Sequence, residues 1–228
     1  MRKTLFFLFF TSISLVAHPG MTNPKTANDS NSTRDFFNEG KAAFADQKYE
    51  KSRRIWEDLC QNKQDGTACT NLAYLYDNGL GFAADKKKAI ELYIKGCEYK
   101  DATGCSNLGM SYFKGDGVDV DFTKAVEYFQ KGCDLGHGFS CAQVGYQYEY
   151  GDGVRQSPKK AFDYYEKSCD LNYAEGCKNL GVLYVNGLGV DVNYIKAHEL
   201  FAKACNLADE TACKYETRIK KEMQQENK

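Results

Sequence analysis

Cys97-Glu98-Tyr99-Lys100-Asp101-Ala102-Thr103-Gly104-Cys105 decides the fold, because the same cysteine pair returns 36 residues later as Cys133/Cys141, and again as Cys169/Cys177 and Cys205/Cys213. An earlier pair, Cys60/Cys69, completes the ten cysteines of the 228-residue chain. A fixed stride in this range marks a solenoid of small supersecondary units, each unable to bury its apolar face alone and so stacked on its neighbours.

Aligning on the cysteines brings the rest of the unit into register. A first helix reads Gly104-Cys105-Ser106-Asn107-Leu108-Gly109-Met110-Ser111-Tyr112-Phe113-Lys114-Gly115, with counterparts over 67–79, 140–151 and 176–187. Gly79, Gly115, Gly151 and Gly187 stand where a helix ends in a left-handed cap. Asp85, Asp121, Ser157 and Asn193 then stand at N-cap positions, with Pro158 at the first helical position of its unit. The second helix carries Ala89, Ala125, Ala161 and Ala197, and four residues on Tyr93, Phe129, Tyr165 and Phe201, then a cysteine four beyond, all on one face. Gly109, Gly145 and Gly181 inside the first helix cost about 1 kcal/mol each against alanine, so their recurrence predicts close helix contact. Expected overall is an all-α solenoid of about five helix pairs over 34–228.

Each cysteine pair flanks the short link from one unit to the next. Local bridging treats all five units alike and contributes roughly 2.5 kcal/mol per ring; other pairings stay open at this stage. The first unit, from Arg34 to Cys60, departs from the pattern: it turns through Ala45-Asp46-Gln47-Lys48-Tyr49 and offers Gly40, Phe44, Tyr49 and Trp56 as packing residues. The charged tail from Lys214 onward suits a solubilising cap.

Residues 1–17 have a basic start and an apolar run too short to span a membrane, as expected of a secretory signal peptide. Export agrees with paired cysteines, which persist outside a reducing cytosol, so the chain is expected to be secreted or periplasmic, without membrane insertion after cleavage. Residues 18–33 are poor in apolar side chains and are expected to form a disordered linker, with Asn31 an acceptor for N-glycosylation. A formal net charge of -1 calls for no nucleic acid. Three scattered histidines and the lack of any Cys-x2-Cys pair call for no metal, and no cofactor is expected.

The Asn107-Leu108-Gly109, Asn179-Leu180-Gly181, Gly187-Leu188-Gly189-Val190 and Lys203-Ala204-Cys205 segments resemble Sel1-like repeat proteins, themselves tetratricopeptide-like. The exported, cysteine-stapled form resembles the Helicobacter cysteine-rich protein family. That resemblance implies a superhelix with a concave groove, a binding role, and in some members binding or slow hydrolysis of penicillins.

If the first helices line the groove, Asn71, Asn107, Gln143 and Asn179 form a ladder of side-chain amides able to bond an extended peptide; alternatively they bond a neighbouring helix. Tyr74, Met110, Tyr146 and Val182 lie three residues further on, and Asn78, Lys114, Tyr150 and Asn186 seven further. These positions vary between units while the packing positions repeat. The expected partner is a peptide or protein, a cell-wall peptide or β-lactam included, bound by a monomer. Hydrolysis of β-lactams would use Ser-x-x-Lys, matched by Ser157-Pro158-Lys159-Lys160, but Ser157 also fills a repeated cap position and no Lys-Thr-Gly accompanies it. The catalytic residue is therefore left unassigned.

Overall fold

A computed structural model describes residues 24–226, and all regular structure among them is helical. The helices are α1 (Pro24–Ala45), α2 (Tyr49–Asn62), α3 (Gly66–Asn78), α4 (Lys86–Glu98), α5 (Ala102–Lys114), α6 (Phe122–Asp134), α7 (Gly138–Tyr150), α8 (Pro158–Asp170), α9 (Ala174–Asn186), α10 (Tyr194–Asn206) and α11 (Glu210–Glu226). Each packs on its neighbours in sequence, giving five pairs closed by α11. Among like helices, α3 meets α5 and α7 meets α9.

The repeated caps explain where the helices stop. Asp85, Asp121, Ser157 and Asn193 accept the backbone N–H of Lys88, Lys124, Lys160 and Lys196, three residues on in each case. Gly79, Gly115, Gly151 and Gly187 end the odd helices in left-handed geometry. The odd helices have caps of their own that the repeat alignment did not single out. Asp65, Asp101 and Asp209 each accept an N–H from the first turn. Asp101 also receives the hydroxyls of Thr67 (3.0 Å) and Thr70 (2.8 Å), tying α3 to α5.

Glycine inside the odd helices is explained by the aromatic opposite. A Cβ on Gly109 would sit 2.8 Å from Phe129, on Gly145 2.7 Å from Tyr165, on Gly181 2.7 Å from Phe201, and on Gly40 2.6 Å from Trp56. Each ring is therefore laid directly on helix backbone. Beneath this layer run the disulfides Cys60–Cys69, Cys97–Cys105, Cys133–Cys141, Cys169–Cys177 and Cys205–Cys213. Every one joins the end of an even helix to the start of the next odd helix, with Cα atoms 4.4 to 4.7 Å apart.

The first unit packs as read, with Phe44 5.6 Å from Tyr49 and 5.7 Å from Trp56 between ring centres. Its helix starts earlier than expected. α1 begins at Pro24, so residues 24–33, read as linker, are helical, and Asn31 falls within a helix. Pro24 suits a first helical position, and each further residue adds one hydrogen bond to a helix already nucleated by the packed Gly40 and Phe44 turns. Residues 1–17 lie outside the described residues.

Candidate binding groove

The candidate surface is the exposed face of the odd helices. On it, Tyr74 is 45%, Tyr146 38% and Tyr150 59% exposed. Lys114, Asn78 and Asn186 are also exposed, and Met110 and Val182 are half-buried. The rings of Tyr146 and Tyr150 lie 4.5 Å apart. Asn78 turns its amide back onto the Tyr74 carbonyl (3.0 Å).

The amide ladder divides into two kinds. Buried Tyr93 rises from α4 between α3 and α5 and donates to Asp77 at 3.4 Å, with the Asn107 side chain near the phenol. Two units on, Tyr165 donates to Glu149 at 2.7 Å, with the Asn179 side chain near the phenol. Burial, reinforced by the carboxylate, holds both phenols well above the usual tyrosine range. Asp77 is fixed from the other side by Lys86 at 2.7 Å, which also reaches Asp116 at 3.0 Å. Asn107 and Asn179 thus lie beside the phenols of the preceding unit.

Asn71 and Gln143 meet different surroundings. Their aromatic partners are Trp56 and Phe129, which carry no hydroxyl, and Phe44 and Phe113 stand where Asp77 and Glu149 stand in the other units. The last unit repeats this apolar version with Val185 and Phe201. The floor of the groove therefore alternates, polar units two and four between apolar units one, three and five. Cavities open over both apolar ends, about 460 Å³ lined by Lys41, Phe44, Trp56, Asn71 and Tyr74, and about 240 Å³ lined by Val182, Val185, Phe201, Tyr215 and Arg218 among others.

Ser157 is a helix cap, bonded by the Lys160 N–H at 3.4 Å. Lys160 lies over the Tyr148 ring and reaches its phenol at 3.5 Å, which superficially makes a Ser, Lys, Tyr trio. The next unit repeats it with Asn193 as cap and Lys196 on Tyr184 at 3.5 Å. A trio whose serine can be asparagine is a packing motif of the unit.

The model of the Sel1 repeat matches residues 66–98, 102–137, 138–173 and 174–209. The chain belongs to the Sel1 repeat family. Its Sel1 units are the pairs from α3 to α10, which leaves α1 and α2 as a separate leading hairpin. Among solved structures, a Sel1 repeat protein from Oxalobacter formigenes is 24% identical with a TM-score of 0.72, covering 79% of this chain and 74% of that one. The antigen c5321 of uropathogenic Escherichia coli, described as protective, is 26% identical with a TM-score of 0.73; 82% of this chain aligns to 41% of the antigen's length. Cysteine rich protein B of Helicobacter pylori is 37% identical over 57% of this chain and 94% of its own, with a TM-score of 0.48. None of the curated proteins matches significantly.

Proposed function

We propose that the chain is an exported binding scaffold whose groove, lined by the odd helices, holds an extended peptide segment of a partner in the cell envelope or outside the cell. The observation that carries this reading is the contrast between layers. The glycines, aromatic rings and cysteines below recur unit after unit, whereas Tyr74, Met110, Tyr146 and Val182 above them change. Packing explains the first set and leaves the second free for a ligand. Five closed disulfides support an oxidising compartment, and the leader-like residues 1–17 supply the route.

A photo-crosslinking side chain placed at Tyr150 tests the reading against one at exposed Glu166 on the outer row. Capture of envelope protein from the Tyr150 position alone supports it. Equal capture from both positions, or none from Tyr150, overturns it. Hydrolysis of β-lactams, implied by resemblance, gains no reacting group from the Ser157 geometry.

A further inference from the structure

Three neighbouring side chains of α7 combine two open aromatic rings with a carboxylate. Tyr146 and Tyr150 are exposed and one helical turn apart, with ring centres 4.5 Å apart at a tilt of 40°. Glu149 between them is half-buried. It stands at the position of Phe44 and Val185, both of which line the end cavities, so its carboxylate belongs to the floor.

Glu149 differs from Asp77, the other carboxylate of the floor, in how its charge is balanced. Asp77 is neutralised by Lys86 at 2.7 Å. In the unit of Glu149 the position of Lys86 is held by Pro158, and among the described residues Glu149 makes no ion pair. It accepts the Tyr165 hydroxyl at 2.7 Å, and a carboxylate has room for further donors. Its charge is the main cause that holds the neighbouring Tyr150 phenol above the ordinary tyrosine value. An unbalanced negative charge beside two exposed ring faces, themselves electron-rich, asks for a cation. Of the protein cations, guanidinium is planar, stacks on aromatic faces and can give two N–H groups to one carboxylate.

On the groove reading above, we propose that Tyr146, Glu149 and Tyr150 form a subsite for an arginine side chain of the bound peptide. The guanidinium lies on the tyrosine rings and donates to Glu149, balancing its charge as Lys86 balances that of Asp77. The other units lack the combination: α5 has Met110, Phe113 and Lys114 at these positions, and α9 has Val182, Val185 and Asn186. In α3, Tyr74 has Asn78 beside it in place of a second ring, and Asp77 is already paired. One such subsite sets the register of a peptide along the repeated surface.

Titration of N-acetyl-arginine methylamide into the oxidised protein, with isotope-labelled tyrosine rings read by NMR, tests this. Saturable shifts should appear at Tyr146 and Tyr150. The citrulline analogue, which keeps the shape and loses the charge, should bind at least about tenfold more weakly, since it forfeits both the ring contact of a cation and the charge-assisted bond. Glu149→Gln still accepts the Tyr165 hydroxyl, and Tyr150→Ala changes an exposed position, so both variants fold; each should weaken binding about fivefold or more. Lys114→Ala, which removes a nearby cation, should not weaken it. Equal binding of the arginine and citrulline analogues, or unchanged binding in Glu149→Gln, overturns the proposal. The crosslinker at Tyr150 separates the two levels. Capture of envelope protein there, with no arginine-dependent shift in the wild type, sinks this inference and leaves the groove reading; neither capture nor arginine binding sinks both.

Discussion

The phenol of Tyr165 donates to the Glu149 carboxylate at 2.7 Å from a ring with none of its surface exposed. The bond passes from one helix of a pair, α8, to the other, α7. Replacing Tyr165 by Phe removes the donor to the carboxylate, and should cost about 2 kcal/mol, in the range of hydrogen bonds to charged groups. Adding Glu149→Phe rebuilds the Phe113 and Phe129 combination of the preceding unit and should recover at least half of the loss. Urea unfolding of the two single variants and the double variant gives the coupling directly; additive losses would contradict the paired role.

Gln147 is fully buried in α7, and neither its side-chain oxygen nor its nitrogen has a hydrogen-bond partner. Leu75 and Leu183 occupy the same position in other units, each also buried. Gln147→Leu should therefore raise stability by roughly 1 to 3 kcal/mol, the cost of an unsatisfied buried polar group. Denaturant midpoints with an unchanged slope will show it; a loss of stability would mean that Gln147 has a partner in solution.

The staples differ in access. Cys133 and Cys141 are both 0% exposed, whereas Cys205 and Cys213 are each half-buried and sit in the last unit. Thiol attack needs a reachable sulfur. Mild reductant under native conditions should open Cys205–Cys213 first and Cys133–Cys141 late, as read by differential alkylation and mass spectrometry. Converting Cys133 and Cys141 together to alanine should lower stability by about 2.5 kcal/mol.

Much of this architecture was legible because one covalent marker, the cysteine pair, set the register for everything else. Caps at Asp121 and Ser157, the close approach at Gly109 and the atypical first hairpin all followed from that alignment. The polar floor did not, since it joins Asp77 and Tyr93 across two helices and shows itself only at twice the repeat. Comparing Tyr93 and Tyr165 with Phe129 and Phe201, by hydroxyl rather than by aromatic character, is the signal that would have found it. The start of α1 escaped for another reason: residues 24–33 carry little apolar pattern, and their helicity is inherited from the packed turns that follow.

Asp121 shows how one cap responds to pH. The Lys124 backbone N–H, first among its partners, holds this carboxyl below its ordinary 3.8. A group whose folded value is depressed contributes stability above its unfolded value, and that contribution is lost as pH falls through the folded one. Acidification from the ordinary carboxylate range downward should therefore loosen the start of α6. Asn193 caps the equivalent helix without titrating, so Asp121→Asn should keep the helix while removing this part of the acid response. Amide exchange at Lys124 across that window checks both statements.

Ser157 separates capping from chemistry. In the wild type its hydroxyl accepts the Lys160 N–H, so Ser157→Ala should cost about 1 kcal/mol while Ser157→Asp, matching Asp121, should restore the loss. A nucleophile would behave otherwise, because aspartate cannot replace a serine hydroxyl in attack on a β-lactam. Nitrocefin turnover should be the same for all three proteins, whatever its level, while the melting temperature falls and recovers. Turnover that disappears in both variants would make Ser157 the reacting group and overturn its assignment as a cap alone.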